Sequence, residues 1–432
     1  MTSVHRNLHV EATPARGRPA AQITPTARHA ASAPVSDDEL EKRFAPVFAT
    51  IAAGAVNRER NRVLPFEEIG LLKEAGFGAL RVPVAFGGLG ATLRQTFDLL
   101  ISLAAADSNL PQALRVHFNV VEDLRLKKDE AVSAQWLKAI AEGAIIGGAA
   151  TEPGVGAVDR YRTAVTSGPT GLQLNGVKYY TTGTLYADHL IVAADQEGKR
   201  ISLLVDTHQP GVTVHDDWDG FGQRLTASGT AEFNDVTVTR DRILGPGYGT
   251  EGRTFGTAHV QLILLATLAG IGRRAAADAA DWIRARTRTF THAVAELPRN
   301  DPLVQQVVGK LFAAAFGARA AVLAAVDELA RTLDVRHDVP QQLDASELAA
   351  AQAQAVVINL VLEATAELFE VGGASLTSDK LAIDRHWRNA RTIASHNPAI
   401  FKLRAIGAHE LNGEGLPYAW SAGVRPAKQN GG

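Results

Sequence analysis

Residues 173–183 read Gln-Leu-Asn-Gly-Val-Lys-Tyr-Tyr-Thr-Thr-Gly, a run with β-branched and aromatic residues around Asn175-Gly176. Such a run favours extended backbone, and an Asn-Gly pair favours a hairpin turn because both central residues of that turn need positive φ. Similar short runs recur along the chain at 189–193, 201–205, 212–214 and 235–238. We therefore predict an antiparallel β-domain over residues 147–248.

The sequence on both sides of this segment has a helical pattern. Residues 37–146 follow Ser36, a favourable helix cap, and open with three acidic residues that suit the positive end of a helix dipole. Residues 249–432 contain alanine-rich segments that predict helices over 254–290, 302–334 and 346–371, and a final one between Pro398 and Asn412. The predicted fold class is α+β, with an N-terminal helical domain, a middle β-domain and a C-terminal four-helix bundle.

The composition excludes several kinds of partner and site. The 432 residues include 44 basic and 46 acidic side chains without a block of like charge, so we expect neither nucleic acid nor a membrane as partner. The most apolar stretch, Val260–Ile271, is about half as long as a bilayer span. The chain has no cysteine, which excludes disulfides and thiolate metal sites and is compatible with the cytoplasm; we predict no metal site. Residues 1–36 are rich in Ala, Pro, Thr and Arg and predict a disordered tail.

Motifs in the middle segment resemble the acyl-CoA dehydrogenase family, as does the three-part layout over about residues 37–420. The matching motifs are Ala150-Thr151-Glu152-Pro153-Gly154, Lys178-Tyr179-Tyr180-Thr181-Thr182-Gly183 and Ala187-Asp188. In that family these segments lie along the flavin, and a hydroxyl group bonds the isoalloxazine near its N5–C4 edge. The resemblance implies that Thr151 and Thr182 contact the flavin, although threonine is also a common strand residue.

A narrower resemblance rests on residues 384–392, Asp-Arg-His-Trp-Arg-Asn-Ala-Arg-Thr, and on three short motifs within 216–229. Both segments are similar to the SfnB type of sulfur-acquisition oxidoreductases and to dibenzothiophene monooxygenases, which share the dehydrogenase fold but use reduced flavin and O₂. This branch implies a two-component monooxygenase in which O₂ adds to the reduced flavin at C4a. The C4a-(hydro)peroxyflavin would then oxygenate a small apolar sulfur, nitrogen or aromatic substrate.

The distribution of acidic residues favours oxygenation over dehydrogenation. An acyl-CoA dehydrogenase needs a carboxylate to remove an α-proton, and no acidic residue lies between Asp384 and Glu410. The nearest carboxylates that could serve instead are Glu251, Glu370 and Glu410. An FAD-dependent acyl-CoA dehydrogenase is therefore the alternative function, and a non-catalytic binding or scaffold member of the fold is a second alternative.

Two histidines are the catalytic candidates. His396 follows the arginine-rich motif, where the resembling monooxygenases place a histidine that acts as acid or base, and imidazole titrates near neutrality. His117 lies on a predicted helix that would border the active cavity, and the family also has a histidine there. Each could instead be a packed histidine that bonds the backbone.

The resemblance also implies residues that bind the rest of the cofactor. Trp218 matches a tryptophan that borders the flavin, and Arg288 matches an arginine that pairs with the flavin phosphate, with Arg286 as the adjacent option. In the arginine-rich motif three arginines recur every three residues, and we expect them to form intersubunit salt bridges rather than to contact ligand: Arg385, Arg388 and Arg391.

The expected cofactor is reduced FMN or FAD. A separate NAD(P)H:flavin reductase is the expected partner, because the glycine-rich loops lack the spacing of a dinucleotide site. The family commonly forms homotetramers, which we expect here. Two positions depart from dibenzothiophene monooxygenase: Gly148 replaces an asparagine that contacts flavin or substrate, and Ser375 replaces an arginine implicated in phosphate binding. The first departure argues against an identical substrate.

Overall fold

The computed structural model describes residues 35–127, 130–154, 160–168, 171–247, 252–335 and 339–418. The disordered tail predicted over residues 1–36 therefore falls almost wholly outside the described residues. Within them, helices are followed by strands and then by helices again, which confirms the predicted α+β fold class.

The first group of helices precedes the sheet, and its members are α1 (Asp37–Asn61), α2 (Phe66–Glu74), α3 (Leu93–Ala106), α4 (Asn109–Ala113), α5 (Arg115–Leu126) and α6 (Glu130–Ala141). Ser36 caps α1 as predicted: its hydroxyl accepts from the backbone N–H of Glu39, whose carboxylate accepts in return from the N–H of Ser36. Phenylalanines from this group form the start of a continuous apolar core that extends through the sheet into the later helices.

The strands form one eight-stranded sheet within the described residues, and they are β1 (Ile146–Ala149), β2 (Ala164–Gly168), β3 (Gly171–Tyr179), β4 (His189–Gln196), β5 (Lys199–Asp206), β6 (Val212–Val214), β7 (Thr230–Val238) and β8 (Ile243–Pro246). The order is β6-β7-β3-β2-β4-β5-β8, and β1 pairs with β4. Five of the seven strand pairs in the described residues are antiparallel, as predicted for this domain, whereas β1 and β2 both run parallel to β4. A parallel pair needs a long connection, and here the connection includes β3 and the 3-10 turn Thr184–Tyr186.

The predicted hairpin at Asn175-Gly176 is wrong. Both residues lie inside β3, where the register to β7 shifts between Leu174 and Gly176 as in a β-bulge. Gly176 has φ 148°, and a Cβ atom there would lie 2.5 Å from the backbone of Thr163, so close packing of β3 against the start of β2 requires glycine. The side chain of Asn175 donates to Asp235 instead of turning the chain.

The last group of helices consists of α7 (Gly256–Ala285), α8 (Pro302–Val335), α9 (Pro340–Glu367), α10 (Arg385–Ala394) and α11 (Ala399–Asn412). The predicted helix 254–290 ends five residues early, because Arg286 is extended and β-branched Thr287 and Thr289 follow it. The arginine-rich motif, for which the sequence predicted no helix, forms the additional helix α10.

The apolar helices of this group differ in how far the fold covers them. By length and composition, three helices are each long and apolar enough to cross a membrane: α7, Pro302–Leu333 and Pro340–Val371. The sequence expectation considered only Val260–Ile271 and therefore underestimated the length of the apolar segments. The most apolar window of α7 is 78% buried, whereas that of α8 is only 22% buried. Protein therefore covers α7, while α8 presents an uncovered apolar face.

Candidate active site

Two segments flank Thr182 through backbone hydrogen bonds. On one side, the N–H of Tyr179 donates to the carbonyl of Thr151 at 2.9 Å; on the other, the N–H of Gly183 donates to the carbonyl of Thr226 at 2.9 Å. The structure thus brings the two predicted flavin-contact threonines onto neighbouring segments. The side chain of Thr182 is buried, whereas Thr151 is exposed.

A buried ion pair holds the Thr151 segment in place. The ammonium group of Lys178 donates to Glu152 at 3.0 Å and to the carbonyl of Ala150 at 3.0 Å. Desolvation opposes ionisation of Glu152, but hydrogen bonds from the backbone of Arg162 and Thr163, with the Lys178 charge, lower the pKa of Glu152 to about 2. The Glu152 carboxylate is therefore a fixed charge that fastens this segment to β3.

Three side-chain hydroxyl groups form a hydrogen-bonded chain beside Thr182. The Oγ1 atom of Thr182 lies 2.9 Å from the Oγ atom of Ser228, which lies 2.7 Å from the Oγ1 atom of Thr226. Thr226 in turn donates to the carbonyl of Gln223 at 2.9 Å. We call Thr182, Ser228 and Thr226 the hydroxyl chain. All three side chains are buried, and together they link the end of β3 to the 221–229 loop.

Trp218 joins the same group of residues. Its indole N–H donates to the carbonyl of Gln223 at 3.0 Å, the same oxygen that accepts from the hydroxyl chain. The ring of Tyr180 packs edge-on against the Trp218 ring with centroids 6.1 Å apart. Trp218 and Thr182, which the sequence predicted separately as flavin contacts, are thus linked to one carbonyl group, Trp218 directly and Thr182 through Ser228 and Thr226.

The 221–229 loop is held in an uncommon backbone conformation. Gln223 has φ 52° and Ala227 has φ 51°, both in the left-handed region. The N–H of Gln223 donates to the side chain of Asn389 at 2.5 Å, and the N–H of Leu225 donates to Asn109 at 3.2 Å. Helices α10 and α4 therefore fix the loop, which explains the presence of Asn389 in the arginine-rich motif.

His396 follows α10 and contacts α5. The guanidinium of Arg115 lies 3.2 Å from Nε2 of His396, so Nε2 accepts and the ring proton is on Nδ1. The residue as a whole is exposed, yet desolvation of the ring and then the Arg115 charge lower the pKa of His396 to about 3. The adjacent Asn397 donates to Gln261 and accepts, through its carbonyl, from Gln354, which anchors this segment to α7 and α9.

His117 has a different environment. Its Nε2–H donates to the carbonyl of Gly78 at 2.8 Å, and its Nδ1 accepts from the N–H of Ile146 at 3.2 Å. The side chain is fully buried, and burial lowers the pKa of His117 to about 4. Since the backbone uses both ring nitrogens, this geometry favours a structural role that joins α5 to β1.

The candidate phosphate-binding arginines lie in the extended segment after α7. Arg286 donates to the carbonyls of Arg288 and Gly372, and its guanidinium lies 5.4 Å from the centre of the Phe290 ring. Arg288 is exposed. Among the described residues, no hydrogen bond joins Arg288 to the hydroxyl chain. Of the two arginines, Arg288 is the more exposed.

Comparisons with known proteins identify the fold. Three family descriptions match in order: acyl-CoA dehydrogenase N-terminal domain over residues 38–144, middle domain over 147–236 and C-terminal domain over 262–399. The FMN-bound crystal structure of TdsC from Paenibacillus sp. A11-2 superposes with a TM-score of 0.80 at 30% identity, covering 88% of this chain and 98% of that one. This chain belongs to the acyl-CoA dehydrogenase family.

Within that family, two relatives that match most of this chain are named as monooxygenases. Dibenzothiophene monooxygenase from Rhodococcus qingshengii is 29% identical over 378 residues, which cover 84% of this chain and 90% of the relative. The probable FMNH2-dependent monooxygenase SfnC from Pseudomonas putida is 28% identical over 371 residues, covering 84% and 92%. The chain is a flavin-dependent monooxygenase of the acyl-CoA dehydrogenase fold, which confirms the main prediction over the dehydrogenase alternative.

Three carboxylates were named for the dehydrogenase alternative. Glu370 and Glu410 are exposed, and Glu251 lies outside the described residues. At Gly148, one of the two departures, a Cβ atom would lie 2.6 Å from the side chain of Val116, so α5 occupies the space of a side chain there. Ser375, the other departure, is exposed.

The arginines of α10 bind within this chain. Arg385 donates to Asp278 at 2.7 Å, and Arg388 donates to Glu59 at 2.9 Å and to the carbonyl of Phe221 at 2.9 Å. Acids of α7 and α1 pair with these two arginines, so neither needs a second subunit for its counter-charge. The third, Arg391, bonds Ser395 on the exposed face of α10.

The site residues fit a flavin by their chemistry. The buried hydroxyl group of Thr182, two aromatic rings and the buried amide oxygen Oε1 of Gln223 suit a flat ring with a polar edge. Among the described residues, this Oε1 atom has no hydrogen-bond partner. Sequence reasoning missed Ser228, Thr226 and Arg115. Ser228 and Thr226 lie within residues 216–229, one of the segments on which the resemblance rests. Only the fold shows that their hydroxyl groups form a hydrogen-bonded chain with Thr182.

Proposed function

We propose that this monooxygenase is the oxygenase component of a two-component system. It would receive reduced FMN from a separate NAD(P)H:flavin reductase and use O₂ to oxygenate a small apolar molecule at sulfur, nitrogen or an aromatic carbon. Reduced FMN, when bound, supplies the electrons that activate O₂. The relatives named for FMNH2, and the FMN in the TdsC crystals, support FMN rather than FAD.

The observation that carries the proposal is the imidazole of His396. A dehydrogenase needs a carboxylate base at the substrate, whereas the segment after α10 offers a histidine beside a guanidinium group. Because Arg115 occupies Nε2, His396 can donate a hydrogen bond from Nδ1 while staying neutral. Such a group can stabilise developing negative charge by donating a hydrogen bond, but it does not remove a proton from carbon.

The remaining candidate residues would bind the cofactor. Thr182 would contact the polar edge of the flavin, and Trp218 would cover part of the ring. Thr151 would contact the same edge through the neighbouring segment, and Arg288 would bind the phosphate by paired N–H donors. His117 would hold α5 against β1 so that Arg115 keeps its position.

We also propose that copies of this chain associate through α8, with a homotetramer as the expected assembly. The exposed apolar side chains of α8 include Leu303, Phe312 and Phe316, and the last two lie one helical turn apart. A monomeric protein seldom leaves a large apolar patch in water. A second copy of the same helix offers a matching apolar surface, as a two-fold interface requires.

Dibenzothiophene is the first substrate to test, because it is in the name of a relative. We expect the substrate preference of this enzyme to differ from that of the relative, because Val116 fills the space beside Gly148. The enzyme would be incubated with FMN, a flavin reductase, NADH and ¹⁸O₂, together with dibenzothiophene, indole and a small thioether. Appearance of one ¹⁸O atom in any product supports the proposal. If NADH is consumed and peroxide is released but none of the three compounds is oxygenated, this substrate class is contradicted.

A further inference from the structure

The hydroxyl chain has a preferred direction of hydrogen bonding. The carbonyl of Gln223 can only accept, so the hydroxyl of Thr226, at 2.9 Å, donates to it. A hydroxyl group has one hydrogen, so Thr226 must accept from Ser228, at 2.7 Å. Ser228 has then used its own hydrogen and must accept from Thr182, at 2.9 Å. The order of donation is therefore Thr182 to Ser228 to Thr226 to Gln223.

This order leaves Thr182 as a pure acceptor toward any ligand. Its hydrogen is committed to Ser228, and in the described part of the chain no further donor reaches its oxygen. The chain of donation could reverse only if Thr226 released the carbonyl of Gln223. Reversal would place two oxygen atoms 2.9 Å apart without a hydrogen between them.

The two redox states of a flavin differ at the atom near such a group. In the oxidised ring N5 has a lone pair and accepts a hydrogen bond, whereas in the reduced ring N5 carries hydrogen and donates. An acceptor at the N5 edge therefore matches only the reduced state. A threonine with a free hydrogen would match the oxidised state equally well.

We propose that the hydroxyl chain makes this enzyme selective for reduced over oxidised flavin, with Ser228 and Thr226 as positioning residues that fix the direction of the Thr182 hydrogen bond. This inference rests on the proposed contact between Thr182 and the flavin edge. Selectivity of this kind suits an oxygenase that takes up reduced flavin and releases oxidised flavin. Neither Ser228 nor Thr226 needs to contact the flavin.

The test compares affinities for the two redox states of FMN. Anaerobic titration gives the dissociation constant of reduced FMN, and titration in air gives that of oxidised FMN. In Thr226→Val, Ser228 loses its acceptor and turns its hydrogen toward Thr182, which frees Thr182 to donate to the ligand. We expect the preference for reduced FMN to fall about tenfold, the worth of one ordinary hydrogen bond. A tenfold loss of this preference would lower the two-electron reduction potential of bound FMN by about 30 mV.

Matched variants separate direction from packing. Thr181→Val removes a neighbouring buried hydroxyl that donates to the carbonyl of Gly229 at 2.8 Å and takes no part in the hydroxyl chain, so it should keep the wild-type ratio. Thr226→Ser keeps the hydroxyl and should also keep the ratio. Ser228→Ala breaks the chain at its middle and should lose the preference as Thr226→Val does. Thermal unfolding and circular dichroism would confirm that each variant is folded.

Two results would overturn the inference. One is a wild-type ratio in both Thr226→Val and Ser228→Ala, which would show that the direction of the chain does not reach the flavin. The other is an equal loss in Thr181→Val, which would show a general packing effect. In either case the proposed oxygenase function stands. Failure of the wild-type enzyme to bind FMN in either redox state would overturn the function and the inference together.

Discussion

The guanidinium of Arg115 lies 3.2 Å from Nε2 of His396, although 281 positions separate the two residues in sequence. This contact joins α5, which packs against β1, to the segment that follows α10. It fixes the tautomer of the imidazole and places a positive charge beside it. Both effects keep the ring neutral and aim its Nδ1–H away from α5.

The role of His396 predicts a loss of turnover without a loss of folding. His396→Ala should lower the rate of product oxygenation by a factor of about 10²–10⁴, the usual worth of a positioned proton donor or acceptor. Its free energy of unfolding should change by no more than about 1 kcal/mol, because the substitution removes one hydrogen bond, to Arg115, at a residue that is exposed as a whole. Product formation and urea unfolding measure the two quantities. His208→Ala, at another exposed histidine, is the control; wild-type turnover in His396→Ala would refute the role.

Arg115 predicts a change in the pH dependence of turnover. Desolvation and the Arg115 charge hold the pKa of His396 at about 3, so wild-type turnover should show no loss from imidazole protonation between about pH 5 and pH 8. Arg115→Met removes the second of these two causes while desolvation remains, so the pKa of His396 rises and turnover should begin to fall at a higher pH than in the wild-type enzyme. Arg115→Lys keeps the charge and should keep the flat profile. An identical profile in Arg115→Met would contradict the link between these residues.

The ion pair of Asp278 with α10 predicts a large effect on stability. Asp278 accepts from Arg385 at 2.7 Å and from His386 at 2.8 Å, and all three side chains are largely buried. Asp278→Asn should lower the free energy of unfolding by about 3 kcal/mol, since it leaves a buried guanidinium without its counter-charge. Chemical denaturation measures this change. Asp281→Asn, one turn further along α7 at an exposed ion pair, should change stability by less than about 1 kcal/mol.

The uncovered face of α8 predicts a change in assembly. Light scattering should give the wild-type protein a mass that is a multiple of the 45.8 kDa chain, four-fold for the expected tetramer. Phe316→Glu places a charge where 76% of an apolar side chain is exposed, and it should lower that mass. Val294→Glu, at another exposed apolar position outside the helices, should leave the mass unchanged. A monomeric wild-type protein would rule out the proposed assembly.

Much of the fold follows from local patterns in the sequence. Ser36 and the acids after it specify the start of α1, and the short apolar runs at 189–193 and 201–205 specify β4 and β5, because such signals act over a few residues. The nine-residue run at 384–392 identified the branch of the family, although its helical structure was missed. Nothing in its pattern shows that Asn389 fixes the 221–229 loop and that Arg385 pairs with Asp278.

Only the tertiary structure determined which groups act together. The Asn175-Gly176 pair has a strong local preference for a turn, yet packing against Thr163 and pairing with β7 hold it inside a strand. Likewise, the separate candidates Thr182 and Trp218 become one site because both reach the carbonyl of Gln223, directly or through other hydroxyl groups. Hydrogen-bond direction depends on every partner in such a network, and those partners are brought together from distant parts of the chain.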